Sequence, residues 1–121
     1  MHHAPATARS WLFAPGDSEK KMLKAMEGSA DIVLIDLEDA VAPESKAAAR
    51  PMVYDFIKAT PAQRHRLWVR INPFDGPYTL LDLAAGMPAH PGGVMLAKGY
   101  GRAGVEKLDH CLSALEVANG I

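Results

Sequence analysis

Four short apolar runs recur along the chain, each closed by polar or turn-forming residues and each followed by a stretch with helical spacing. Trp11, Leu12, Phe13 and Ala14 stop at Pro15 and Gly16. Ile32, Val33, Leu34 and Ile35 stop at Asp36, Glu38 and Asp39. Leu67, Trp68, Val69, Arg70, Ile71 and Asn72 stop at Pro73, and Val94, Met95, Leu96 and Ala97 stop at Lys98 and Gly99. Runs this short, rich in β-branched and aromatic residues, predict strands; continuous apolar runs predict strands buried on both faces.

The intervening stretches read as helices. Asp17 or Ser18 caps a helix over about 17–27, with Met22, Leu23, Ala25 and Met26 as its buried side and Gly28 as its stop. A second helix follows Pro43, with Ala49, Met52, Val53, Phe56 and Ile57 at helical spacing; Pro51 inside it predicts a kink or a new segment, and Thr60 and Pro61 close it. Residues 78–85 form a short third helix. The last spans about 103–118, with Val105, Leu108, Leu112 and Leu115 on one face.

The resulting order, βαβαβαβα, predicts an α/β fold with a parallel sheet and right-handed crossovers. The four units stop at Ile121 without a closing element, so the expectation is a truncated chain. A closed eight-stranded barrel needs about 250 residues, and 121 are present.

Composition narrows the functional classes. Apolar residues make up 49% and charged residues 22%, as in a soluble globular domain, and the formal net charge of -1 gives no reason to expect nucleic acid or an anionic membrane surface. No apolar run is long enough to span a bilayer, and the first nine residues lack the apolar centre of a secretory signal. The lone Cys111 has no disulfide partner, which fits the cytoplasm.

The chemistry lies at the strand ends. Parallel strands place all their C-terminal ends on one face, where ligands bind in such folds. That face collects Asp36, Glu38 and Asp39, then Arg70 and Asn72, then Lys98. Unpaired buried carboxylates are costly, so the acids must meet water, a cation or a metal, unless they only solvate a loop and cap the next helix. Arg70 suits bidentate binding of a carboxylate; an ion pair with Asp36 or Glu38 is the structural alternative, and both can hold together. Gly99, Gly101 and Gly104 match G-x-G-x-x-G between a strand and a helix, which opens nucleotide binding as an alternative. Such a fingerprint belongs on the first unit rather than the fourth, so a glycine-rich loop without a cofactor is the plainer reading.

Several of these strings carry a resemblance: Arg9 to Gly16, Lys24 and Ala25, the run from Asp36 through Leu37, Glu38, Asp39, Ala40, Val41 and Ala42 to Pro43, then Lys46, Ala49 and Arg50, and Val69 to Asn72. Together they resemble the citrate lyase β-subunit family of the HpcH/HpaI aldolase group, with malyl-CoA lyases as relatives. The resemblance implies a TIM (β/α)8 barrel, of which residues 1–121 are a partial domain, its N-terminal half with about four βα units. It implies an Mg²⁺-dependent carbon–carbon lyase that uses enolate chemistry on an acyl thioester, carried by coenzyme A or an acyl carrier protein, together with a small 2-oxo acid. A homo-oligomer is implied for the full-length protein.

The resemblance also assigns roles. Arg70 binds the substrate carboxylate or carbonyl, Phe13 and Lys24 contact coenzyme A, and Glu38 and Asp39 lie at the metal site as partners of its waters. The direct metal ligands, a glutamate and an aspartate of the fifth and sixth strands, fall beyond Ile121, so no direct ligand is expected here. Ser18 stands where malyl-CoA lyases have an arginine, and Ala97 where a proline is usual. The alternative from another class is a non-catalytic half-barrel that self-associates or pairs with a partner through its unpaired sheet edges.

Overall fold

The computed structural model describes residues 10–74, 76–97 and 101–120, excepting the side chains of 101–103 and 105. Four strands alternate with four helices: β1 (Trp11–Pro15), α1 (Glu19–Glu27), β2 (Ile32–Asp36), α2 (Lys46–Lys58), β3 (Leu67–Ile71), α3 (Thr79–Gly86), β4 (Gly93–Leu96) and α4 (Gly101–Asn119). Short 3₁₀ turns precede α2 and β3 and follow α3. The strands are all parallel and lie in sequence order, β1-β2-β3-β4. This is the expected α/β architecture of consecutive βα units from a (β/α)8 barrel.

Side chains alternate across the sheet. Val33, Ile35, Leu67, Val69 and Ile71 face the helices and join Met22, Ala49, Val53, Ile57, Leu83 and Leu112 in the main core. Ile32, Leu34 and Trp68 face the other way and form a second cluster with Met95. Every residue of β2 is buried, as its unbroken apolar run predicts. β1 is an edge strand whose Trp11, Leu12 and Phe13 stay exposed; the Trp11 ring meets Trp68 edge-on, with centroids 5.6 Å apart.

Local signals explain most boundaries. Ser18 caps α1, its hydroxyl accepting from the Lys21 N–H at 3.2 Å, and Gly28 ends it. One expectation needs correction, and one alternative falls away. Leu23 is exposed, because Met22, Ala25 and Met26 already fill the narrow stripe of α1 that reaches the sheet. Pro51 does not begin a new segment: α2 runs through it without a break. Pro51 and Ala47, whose carbonyl loses its i+4 donor, are both exposed, so the freed carbonyl is not buried away from solvent. In α4, Leu108, Leu112 and Leu115 pack as expected, while the Val105 side chain lies outside the described residues.

At Gly93 the neighbouring strand leaves no room for a side chain: a Cβ there would fall inside the Trp68 indole. Gly93→Ala should therefore cost about 1–3 kcal/mol through overpacking. Urea unfolding followed by tryptophan fluorescence measures this; a loss within about 0.5 kcal/mol, the usual surface-substitution range, would mean that the indole has space to move.

Candidate active site

β2 and β3 lie in register with Asp36 opposite Arg70. Both side chains project from the face that carries Leu34 and Trp68, at the C-terminal ends of the strands. The guanidinium grips the carboxylate with two bonds, Nε donating to Oδ1 at 2.9 Å and Nη2 to Oδ2 at 2.7 Å. Glu38 Oε1 lies 3.8 Å from the same Nη2. The Phe13 ring covers the guanidinium, its centroid 4.7 Å from Cζ. Arg70 thus makes the ion pair with Asp36 that the sequence left open, while 23% of its side chain still meets solvent.

Asp36 also organises the loop after its strand. Oδ1 accepts from the Glu38 N–H at 2.8 Å and Oδ2 from the Ala40 N–H at 3.0 Å. Burial opposes its ionisation, but the Arg70 hydrogen bond, the two backbone N–H groups and the Arg70 charge together hold its pKa below the ordinary carboxylate value. Arg70 is held above its usual value by its hydrogen bond to Asp36, against burial, with the charges of Asp36, Glu38 and Asp39 adding to it.

A second layer supports this arrangement from below. Lys46, buried at the start of α2, donates to the Leu37 and Glu38 carbonyls, both at 2.8 Å. Asn72 Nδ2 donates to the Leu37 carbonyl at 2.9 Å and to Asp82 Oδ2 at 2.6 Å. Asp82 accepts in addition from the Asn72 N–H and from Arg50 Nε, each at 2.9 Å. The sequence reading noted Lys46, Arg50 and Asn72 but gave Asp82 no role. Its signal was a single acid, three residues after Thr79, within an otherwise apolar stretch.

The remaining expected site residues fall as follows. Glu38 is buried beside Arg70, and Asp39, next to it, is exposed. Phe13 and Lys24 line one open groove of about 360 Å³, together with Leu12, Pro15 and Lys21. Lys98, Gly99 and Tyr100 lie outside the described residues. Gly101 and Gly104 belong to α4 rather than to a loop, so the backbone of the glycine motif is helical from its second glycine onward.

Among the described residues no group of three or more His, Cys, Asp or Glu side chains is placed to hold a metal ion. The donor chemistry agrees, because both Asp36 oxygens are already taken by Arg70 and backbone N–H groups. Glu38 and Asp39 carry carboxylates of the type that accepts hydrogen bonds from the waters of a hydrated cation.

The sequence profile of the HpcH/HpaI aldolase/citrate lyase family matches residues 9–121. The chain belongs to this family. A citrate lyase subunit beta-like protein of Deinococcus radiodurans is 40% identical over 99 residues, covering 78% of this chain and 35% of that protein. An L-malyl-CoA/beta-methylmalyl-CoA lyase of Cereibacter sphaeroides is 34% identical over 115 residues, covering 93% of this chain and 36% of that protein. The crystal structure of protein CitE from Mycobacterium tuberculosis in complex with magnesium, acetoacetate and coenzyme A superimposes with a TM-score of 0.66 at 36% identity, over 84% of this chain and 37% of that one. The chain thus spans little more than a third of the length of these family members. No helix among the described residues is long and apolar enough to cross a membrane.

The Asp36–Arg70 pair gives a pH-dependent expectation. The folded pKa of Asp36 lies below its unfolded value of about 3.9. The stabilisation is therefore complete at neutral pH and is lost as pH falls below about 4 and through the folded value. Asp36→Asn should cost about 1–3 kcal/mol near pH 7, less than a fully buried pair because Arg70 reaches solvent. The gap from wild type should shrink steadily in acid. Urea unfolding at several pH values tests this, and a gap that stays constant down to about pH 2 would show that the Asp36 charge contributes nothing.

Proposed function

We propose that the complete protein is an Mg²⁺-dependent carbon–carbon lyase acting on an acyl thioester, and that residues 1–121 are the N-terminal part of its barrel domain. The observation that carries this reading is the placement of Arg70. It stands at a strand's C-terminal end, fixed by Asp36, flanked by Glu38, and stacked on the same Phe13 that lines the groove with Lys24. One residue thereby connects a carboxylate-binding cation with an apolar groove that carries ammonium groups, as a substrate with an acidic end and a thioester arm requires. Family membership, and relatives crystallised with magnesium, acetoacetate and coenzyme A, support the same reading.

On this reading each residue has a task. Arg70 spends Nε and Nη2 on Asp36 and offers Nη1 to the carboxylate or carbonyl of the small 2-oxo acid. Because the Asp36 pair fixes the guanidinium before substrate arrives, little reorganisation is needed when charge develops. Phe13 and Lys24 take the coenzyme A or acyl-carrier arm, the ring against its apolar part and the ammonium towards its anionic part. Glu38 and Asp39 would accept hydrogen bonds from the waters of a bound Mg²⁺, whose direct ligands we place beyond the described residues. Bound Mg²⁺ would supply Lewis-acid polarisation of the carbonyl oxygen. The cytoplasm, where a lone thiol such as Cys111 stays reduced, is the setting we propose.

A second reading has its own observation. Trp11, Leu12 and Phe13 are exposed together on the unpaired edge strand, and such an edge invites association. Residues 1–121 alone would then be a non-catalytic half-barrel that pairs with a second copy. Sedimentation of this chain showing a folded monomer at micromolar concentration would remove that reading.

The test of the first reading uses the complete gene product. It should cleave a 3-hydroxyacyl-CoA, lose activity with EDTA, and lose at least about 100-fold in kcat/KM in Arg70→Ala, the scale of one preorganised electrostatic donor. Full activity in Arg70→Ala would overturn the role given to Arg70. Glu38→Gln should raise the Mg²⁺ concentration needed for half-activity by about 10–100-fold, as loss of an outer-sphere metal partner does, with unfolding little changed. A variant that unfolds at unaltered Mg²⁺ demand would make Glu38 a purely structural acid.

A further inference from the structure

Lys46 is the least expected member of the support beneath the site. Its side chain is 6% exposed, its Nζ donates to two consecutive carbonyls, and the Tyr78 ring lies 5.4 Å away. Burying an ammonium costs several kcal/mol unless its charge and protons are well met, and a methionine would fill the same space without that cost. The residue therefore needs a reason beyond packing.

The loop itself supplies one. Asp36 accepts the N–H groups of Glu38 and Ala40, while Lys46 donates to the C=O groups of Leu37 and Glu38. An anion holds the donors of this loop and a cation holds its acceptors. The 37–38 peptide is held from opposite directions, its N–H by Asp36 and its C=O by Lys46, and the Glu38 C=O is held by Lys46 and by the Val41 N–H at 3.2 Å, which together limit the direction in which the Glu38 side chain leaves the backbone. The same Oδ1 of Asp36 receives the Glu38 N–H and Arg70 Nε. Slack in the loop must therefore pass directly to the guanidinium.

We propose that Lys46 is a positioning residue: its ammonium, acting through the Leu37 and Glu38 carbonyls, holds Glu38 and the Asp36–Arg70 pair in the geometry that the transition state requires. The structural part of this inference stands on hydrogen bonds alone, and its catalytic consequence rests on the lyase reading above. A misplacement of about 1 Å in such a site can cost about 100-fold in rate.

Lys46→Met keeps the stem and deletes the ammonium. The first readout needs no activity: exchange of the Arg70 Nε proton with water, followed by ¹⁵N NMR. We expect it to be at least about fivefold faster in the variant, with amide exchange of residues 33–35 within about twofold of wild type; both factors are thresholds set against local rather than global opening. In the complete gene product, kcat should fall about 10–100-fold with KM within about threefold, the pattern of lost transition-state geometry rather than lost binding. Unchanged Nε exchange in a folded Lys46→Met overturns the proposal, as does a lowered Tm with wild-type kcat. Should Lys46→Met not fold, Lys46→Arg keeps the charge but moves the donors; at least a twofold rise in Nε exchange is then expected, and none overturns the proposal. If the wild-type gene product cleaves no thioester, the lyase reading fails, and Nε exchange alone decides the positioning role.

Discussion

The arrangement depends on register. Asp36 and Arg70 face each other across two adjacent parallel strands, and a strand's side chains alternate, so a slip of one residue would turn Arg70 towards the helices and bring Val69 or Ile71 to the site. That slip is blocked by the pattern itself. Leu67, Val69 and Ile71 fill the helix-facing core while Trp68 fills the opposite cluster. The apolar residues of β3 thus choose the face, and the polar residue among them is carried to the strand end in the only phase that buries all the others. The bidentate pair then converts a backbone register into a fixed guanidinium. Asp36 extends this order forward, because the same two oxygens that bind Arg70 also tie down the N–H groups of the following loop.

Much of this was legible in the residues. The four strands, their parallel order and the collection of charge at their C-terminal ends follow from short apolar runs alternating with helical spacing. The Arg70 ion pair was one of two open readings because both partners end neighbouring strands. Other features were not legible, for identifiable reasons. Leu23 has the same hydrophobicity as its buried neighbours, and only the width of the contact stripe on α1 separates them. Pro51 breaks a helix where its lost bond is buried, and whether Ala47 faces water is a property of packing rather than of the local string. Asp82 has no sequence neighbour to explain it. Its partners, Arg50 and Asn72, come from α2 and from the end of β3, and only the folded chain brings the three together.

The buried polar groups beneath the site form two linked sets rather than a scatter of charges, with Arg50 Nη2 buried but not hydrogen-bonded. Arg50 meets Asp82, and Asp82 meets the amide and backbone of Asn72; Lys46 meets the Leu37 and Glu38 carbonyls, the first of which Asn72 also reaches. Buried networks are stabilising only when their members are satisfied, since a half-paired group carries its full desolvation cost. The Leu37 carbonyl is where the two sets join, accepting from Lys46 Nζ and Asn72 Nδ2 at once. The loop after β2 is thereby tied to the end of β3 through Asp36 and Arg70, through Leu37 and Asn72, and through the Leu37 N–H, which donates to the Arg70 carbonyl at 2.9 Å. A loop fastened on both sides is a better platform for orienting Glu38 than one fastened at its ends alone.

Phe13 shows why an exposed edge strand can belong to a site. A bare phenylalanine on an edge is a liability for association, and half of its surface, 51%, is exposed. Its inner face is nevertheless occupied by the Arg70 guanidinium, which keeps the ring in one place at a modest electrostatic gain. Phe13 also lines the groove shared with Lys24 and Lys21. On the proposed reading, an acyl chain entering that groove would pack against a ring whose other side already holds the carboxylate-binding cation. Binding at the thioester end and orientation at the acid end would then share one rigid element. Arg70 has no need of an aromatic cover for its charge alone, because Asp36 already supplies a bidentate partner. The ring's position is better accounted for by the groove it borders than by the ion pair it covers.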